Sequence, residues 1–257
     1  LIVCAPDSRA GRGLALTPPE AKAWAEEHDI PVLQPVSLTN ESEIAPLLNT
    51  DWDLFIVAAY GKILPKELLA MPKRGALNVH PSLLPKFRGP SPVETAILAD
   101  ERETGVSIML MDETLDHGLI VAQARIEIEK DDWPVRASTL EALLAHAGGE
   151  LLAETIPLWL MGSITPETQD HAKATFSQKL TKADGRINLS DDPYRNLLKI
   201  RAYDEWPGAY FLHERAGKTI RVKLTDARLG KDGTLEILRV IPEGKKEMDY
   251  QDFLRGN

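Results

Sequence analysis

The sequence holds one cysteine, Cys4, so no disulfide can close within the chain and no thiolate cluster can hold a metal. An unpaired cysteine fits a reducing compartment. No apolar run approaches the roughly 18 to 20 residues that cross a bilayer as a helix. There is no glycine-rich phosphate loop with a lysine and no Gly-x-Gly-x-x-Gly, which removes support for nucleotide-driven or nicotinamide chemistry. Ser82 and Ser91 lack the Gly-x-Ser-x-Gly elbow of a serine hydrolase. His28, His117, His146, His171 and His213 show no metal-ligand spacing. A start methionine is also missing: the chain opens inside the apolar run Leu1-Ile2-Val3, and the expectation is that a further piece precedes it.

What is present is the composition of an ordinary globular protein, 257 residues with 43% hydrophobic and 27% charged side chains. That length allows one large domain or two smaller ones. The net charge of −9 is unevenly spread. Residues 1–170 carry 13 basic and 26 acidic side chains, whereas residues 171–257 carry 17 and 13. A basic module joined to an acidic one can meet phosphates locally while the whole chain stays acidic.

The first two thirds alternate between strand and helix signals. Leu1–Ala5 and Asp53–Ala59 are short continuous apolar runs, as in strands covered on both faces. Thr17-Pro18-Pro19-Glu20 has capping-box spacing and opens a helix through about His28, followed by a strand at Pro31–Gln34. The same start signal recurs at Ser91 and Ser138, the second helix ending near Pro157. Gly105–Met111 and Leu119–Ile128 alternate as a β-hairpin. Together these describe an α/β layered domain. Residues 165–185 are polar and aperiodic, which suits a linker. Short β-type stretches follow (Arg186–Leu189, Ala209–His213, Thr219–Thr225, Thr234–Val240) with a helix around Pro193–Ile200, the pattern of a small barrel of OB type.

The chemistry-bearing stretch is Gly75 to Gly89. Ala76–Val79 reads as a strand whose alternation sends Asn78 and His80 to the same side. Pro81 and Pro85 then end regular structure, leaving both groups at a strand's carboxyl end, where open α/β sheets bind ligands. An amide and an imidazole there can stabilise an oxyanion or move a proton. Asp116, in the turn Asp112-Glu-Thr-Leu-Asp116-His-Gly118, can orient His80. A lone histidine beside a strand is more often a satisfied structural residue, and Asp-x-Gly is an ordinary turn signal, so spacing stops at an α/β enzyme with a proton-handling strand end.

Asn78-Val-His80-Pro-Ser82-Leu83-Leu84-Pro85, then Arg88-Gly89 and the loop ending Leu115-Asp116-His-Gly118, resembles the folate-dependent formyltransferase superfamily. That resemblance implies a Rossmann-like open, mostly parallel sheet over 1–164, a linker at 165–185 and a C-terminal OB-like β-barrel over 186–257. It implies Asn78, His80 and Asp116 as the catalytic set, with the carboxylate keeping His80 charged. Ser82, Leu83, Leu84 and Pro85, with Ala59, Tyr60 and Gly61, are implied to line the folate site. The implied donor is 10-formyltetrahydrofolate, without a metal.

The chain looks like members that act on methionine carried by initiator tRNA, so initiator methionyl-tRNA is the implied acceptor in translation initiation. Pro6–Gly13 looks like their glycine-rich basic loop, which places Arg9 and Arg12 at the acceptor end. Lys173, Lys179, Lys182, Arg186 and Arg201 are the implied phosphate contacts. The segment Ile200–Ala209 matches a C-terminal signature. The family's first strand and helix are absent before Leu1, the stretch around Gly230–Gly233 is shorter, and Pro81 stands where glycine is common. Two other functions stay open: N-formyl transfer to an amino sugar nucleotide, and a folate- or RNA-binding module without catalysis. The expectation is a monomeric, cytoplasmic enzyme.

Overall fold

The computed structural model describes residues 1–10, 15–215 and 217–256. The chain forms two compact units, Leu1–Asn78 with Leu110–Thr114, and Val79–Met109 with Leu115–Asn257.

The first unit holds β1 (Ile2–Val3), β2 (Ser8–Ala10), β3 (Ala15–Thr17), α1 (Glu20–Glu27), β4 (Val32–Leu33), α2 (Ala45–Leu48), β5 (Phe55–Ala58), α3 (Lys66–Leu69) and the start of β6 (Ala76–His80). β1 and β4 pair in parallel, β2 and β3 pair antiparallel, and β5 lies beside β6. Leu38, Ile44, Leu47 and Leu68 form its core, with Val3, Leu33, Trp52, Phe55 and Tyr60 packed against them. The strand expected at Asp53–Ala59 forms, but only one face is covered: half-buried Phe55 and Val57 alternate with exposed Ile56 and Ala58.

The second unit holds the end of β6, then α4 (Pro92–Leu98), β7 (Glu103–Leu110), β8 (Ile120–Glu127), α5 (Ala137–Leu160) and α6 (Pro193–Ala202). It closes with β9 (Tyr210–Arg215), β10 (Lys218–Leu229), β11 (Leu235–Pro242), β12 (Met248–Asp249) and α7 (Tyr250–Arg255). β7 and β8 form the expected hairpin, with Val106 opposite Ala124 and Ser107 opposite Gln123. The C-terminal strands form an antiparallel sheet in the order β12-β11-β10-β9, with no closed barrel among the described residues. One core runs through the unit, joining Val93 and Ile97 of α4, Leu140 and Leu144 of α5, Leu197 and Leu198 of α6, and Val222, Leu224 and Val240 of the C-terminal sheet. Gly148 lets α5 approach closely, since a Cβ there would sit 2.9 Å from Val79 and 3.2 Å from Val106.

The helices expected from capping boxes all form, but none uses its box. Thr17 is drawn into β3 opposite Ser8, so Pro19 caps α1 without a side-chain acceptor. Ser91 precedes α4 with its hydroxyl unused as a cap. Ser138 lies inside α5 and donates to Asp204 at 2.5 Å. Pro157 does not end α5, which runs to Leu160 with Met161 N–H donating to the Pro157 carbonyl. Pro157 has no N–H, so the bond to the Ala153 carbonyl is missing, and the helix continues for less than one further turn. Arg186–Leu189 makes a single parallel bridge to Tyr210 and then turns, because Asp192 caps α6 by accepting from the Arg195 N–H at 2.8 Å.

Candidate active site

β6 delivers His80 into the interior of the second unit, where it is 4% exposed, and the β7–β8 turn brings Asp116, 8% exposed, to meet it. His80 Nδ1 lies 3.7 Å from Asp116 Oδ1, just outside hydrogen-bond range. On the other ring edge, Nε2 is 3.1 Å from the Phe87 carbonyl. A carbonyl only accepts, so Nε2 carries the proton and Nδ1 faces the carboxylate. Burial pushes the His80 pKa below its ordinary value, and the Asp116 charge and the Phe87 carbonyl restore only part of the loss. The Asp116 carboxylate, expected to keep His80 charged, opposes this shift without cancelling it. Removing the ring from water outweighs one nearby carboxylate.

Asp116 is held from several directions. Its Oδ2 accepts the Gly89 N–H at 2.7 Å. Its backbone carbonyl accepts from Gln169 Nε2 at 3.0 Å, and the same amide nitrogen donates to the Gly118 carbonyl at 2.7 Å. Arg88, 4% exposed, grips the Gln169 amide oxygen with Nε at 3.1 Å and Nη2 at 2.6 Å. Arg88 Nη2 also reaches His171 Nδ1 at 2.9 Å, and the His171 ring stacks on His117 with centroids 4.2 Å apart. Asp116 has φ +50° and Phe87 φ +56°, a left-handed conformation that a non-glycine residue keeps only when its surroundings over-determine it. Gly89 has φ +113°, and a Cβ on it would lie 2.7 Å from the Ser177 carbonyl oxygen. Only glycine fits there.

The Ser82–Pro85 loop is braced from within. Ser82 is fully buried, and its Oγ donates to the Lys86 carbonyl at 2.6 Å. Ser107 Oγ donates to the Ser82 carbonyl at 2.6 Å and accepts the Leu84 N–H at 3.0 Å. Gln123 Nε2 caps the Leu84 carbonyl at 2.9 Å. Leu84 is buried, while Leu83 and Pro85 are half-buried. In the first unit Ala59 and Gly61 are exposed with φ +47° and +74°, and half-buried Tyr60 between them has a buried hydroxyl with no hydrogen-bond partner. Asn78 is half-buried on β6, two residues before His80.

Of the basic residues singled out, Arg12 lies outside the described residues. Arg9, Lys179, Lys182 and Arg186 are exposed. Lys173 is exposed and pairs with Asp170 at 2.9 Å. Arg201 is turned inward, pairing with Asp226 at 3.3 Å and donating to the Ala227 carbonyl at 3.1 Å. Sequence reasoning missed Ser107, Gln123, Gln169, Thr175 and Ser177. The first two face the same way on paired strands and were readable from hairpin register. The other three lie in a polar, aperiodic stretch that carries no local signal. Among the described residues no group of three or more His, Cys, Asp or Glu is placed to hold a metal ion, and no helix is long and apolar enough to cross a membrane.

A buried imidazole beside a carboxylate at a strand end can handle a proton. A family model described as Formyl transferase matches residues 1–156, and one described as Formyl transferase, C-terminal domain, matches residues 179–232. The methionyl-tRNA formyltransferase of Anaeromyxobacter sp. strain K is 44% identical over 231 residues, covering 90% of this chain and 72% of the relative. That of Halalkalibacterium halodurans is 38% identical over 277 residues, covering 99% and 86%. Among solved structures, HypX from Aquifex aeolicus in complex with tetrahydrofolic acid superposes with TM-score 0.67 at 22% identity, covering 91% of this chain and 43% of that one. The methionyl-tRNA formyltransferase from Clostridium thermocellum gives 0.60 at 20% identity, covering 89% and 92%. The chain belongs to the formyl transferase family, and its activity is formyl transfer.

Proposed function

We propose that this enzyme moves the formyl group of 10-formyltetrahydrofolate onto the α-amine of methionine carried by initiator methionyl-tRNA, a step in translation initiation. The observation that carries the reading is the buried His80–Asp116 pair, 3.7 Å apart, in a chain whose curated relatives bear that name. Asn78, His80 and Asp116 are the proposed catalytic residues. The donor supplies the reacting formyl carbon. Asn78 offers its amide N–H to the negative charge that grows on the formyl oxygen. His80, neutral before reaction and open at Nδ1, takes with Asp116 the proton that the attacking amine sheds and returns one to the leaving nitrogen. The imidazolium formed on the way adds to the stabilisation of the oxyanion. Desolvation of the pair strengthens this charge separation once the carboxylate is in contact.

Leu83, Leu84 and Pro85 on the braced Ser82 loop, with Ala59, Tyr60 and Gly61, are proposed to hold the folate. The buried, unpartnered Tyr60 hydroxyl fits a polar group of such a ligand. We assign catalysis to residues 1–164, a linker to 165–185 and an OB-like, tRNA-contacting domain to 186–257. Arg9, Arg12, Lys173, Lys179, Lys182 and Arg186 are the proposed phosphate contacts. Arg201, turned inward and held by Asp226, is not among them. A monomer working in the cytoplasm fits this role. Charge reversal at Lys179, Lys182 and Arg186 is expected to flatten the salt dependence of tRNA binding by roughly 0.7 to 0.9 log units per lost contact. The deciding experiment is transfer of labelled formyl to methionyl-tRNA, to an amino sugar nucleotide and to water. Preferential labelling of methionyl-tRNA supports the reading, and labelling only of the sugar or release as formate contradicts it.

A further inference from the structure

Residues 167–177 are stitched along one side of the His80–Asp116 pair. Glu167 exchanges two backbone hydrogen bonds of 2.8 Å with Ile120, at the start of β8 just after the Asp116 turn. At the other end Thr175 accepts the Phe87 N–H on its Oγ1 at 2.8 Å and accepts the Arg88 N–H on its carbonyl at 2.9 Å. Ser177 donates its N–H to the Arg88 carbonyl at 2.7 Å and accepts the Ser91 N–H on its hydroxyl at 3.0 Å. Between these anchors stands Gln169, 3% exposed, the one side chain of the segment whose amide nitrogen bonds the backbone of Asp116 itself.

The two ends of the Gln169 amide face different tasks. The oxygen is clamped by the planar Arg88 fork, which fixes the plane of the amide. The nitrogen then has both of its protons spent on the carbonyls of Asp116 and Gly118, on either side of a turn that keeps Asp116 at φ +50°. A left-handed aspartate is strained and relaxes when nothing holds it. Relaxation would swing a carboxylate that already stands at 3.7 Å from Nδ1. Misplacement by about 1 Å costs on the order of 100-fold in rate.

We infer that Gln169 is a positioning residue for formyl transfer, acting through Asp116, with Arg88 as its anchor. The inference rests on the proposed role of Asp116. Gln169→Glu is the informative variant. It has the same shape and keeps the acceptor for Arg88, but it removes both donors to the turn. Gln169→Glu and Gln169→Ala are expected to lower kcat by roughly 10- to 100-fold while KM for the formyl donor stays within about threefold. Arg88→Lys, which retains the charge but not the fork, is expected to fall between wild type and Gln169→Ala.

The assay is steady-state formyl transfer by the full chain, with circular dichroism and thermal unfolding of each variant beside it and Asp116→Asn as the reference. If Asp116→Asn loses rate and folded Gln169→Glu turns over like wild type, the positioning role is refuted while the catalytic assignment stands. If Gln169→Glu raises KM and lowers kcat in step with a loss of folded protein, its role is structural only and the inference is likewise overturned. If Asp116→Asn itself is fully active, the fault lies in the catalytic assignment.

Discussion

Replacing Gly89 by alanine perturbs the site without touching an ionisable group. Gly89 sits at φ +113°, and the new Cβ would lie 2.7 Å from the Ser177 carbonyl oxygen and 2.8 Å from its hydroxyl. Neither atom is free to leave, since Ser177 is tied by its N–H to Arg88 and by its hydroxyl to Ser91. The backbone conformation costs an L-residue about 1 to 3 kcal/mol, and a collision of this kind adds about 1 to 3 more. At about 2 to 4 °C per kcal/mol for a chain of this size, Tm should drop by roughly 4 to 24 °C. Any relaxation that relieves the clash also draws the Gly89 N–H away from Asp116 Oδ2, its partner at 2.7 Å. The fraction that remains folded should therefore show kcat lowered by about 100-fold. Thermal unfolding followed by circular dichroism gives the first number, and initial rates of formyl transfer well below Tm give the second. A variant with Tm within about 1 °C of wild type and unchanged kcat would refute the account of this loop.

Two further outcomes concern titration. The His80 pKa is lowered in the folded state by burial, so the unfolded chain binds more protons once the pH drops below about 6.5. The stability contribution is complete above that value and is lost as pH falls through the lower folded value. Urea midpoints measured from pH 5 to 8 should show this loss, and His80→Gln should flatten the slope; an unchanged slope contradicts the buried neutral imidazole. The phenols of Tyr194 and Tyr203 are each pushed up to about 12, mainly by burial, with the Asp100 hydrogen bond adding to the effect at Tyr194. Their stability contribution is complete below about pH 10 and disappears as pH rises through 12. An absorbance titration of the phenolate band should find these two ionising late, with Tyr194→Phe removing one, and ionisation of all five tyrosines near 10 in folded protein would contradict it.

The features legible in the sequence were those set by short-range periodicity. The β7–β8 hairpin, α6 and β6 with His80 at its end follow from alternation and from prolines at fixed places. The meeting of His80 with Asp116 was carried by the family resemblance and not by periodicity or spacing. The details that failed depend on partners far along the chain. Ser138 carries the composition of a cap, but Asp204, 66 positions away, claims its hydroxyl. Thr17 was lost to a strand pairing with Ser8. Gln169 looks like any polar residue of an aperiodic stretch until Arg88 and the Asp116 turn are folded around it. The downward shift of the His80 pKa was illegible for a related reason, because burial is a property of the packed interior and outweighs the one carboxylate visible in the motif. Of the C-terminal stretches, Ala209–His213, Thr219–Thr225 and Thr234–Val240 fall on β9, β10 and β11, while Arg186–Leu189 makes only a bridge and β12 was not foreseen; closure into a barrel is not decided by strand pattern alone.

The central claim is that the carboxylate beside Nδ1 of His80 handles the proton of transfer, and Asp116→Asn tests it with almost no change of shape. Single-turnover formyl transfer to methionyl-tRNA, with donor affinity measured separately, should show the chemical step slowed at least about 100-fold and donor binding altered less than about threefold. A chemical step within about fivefold of wild type would contradict it.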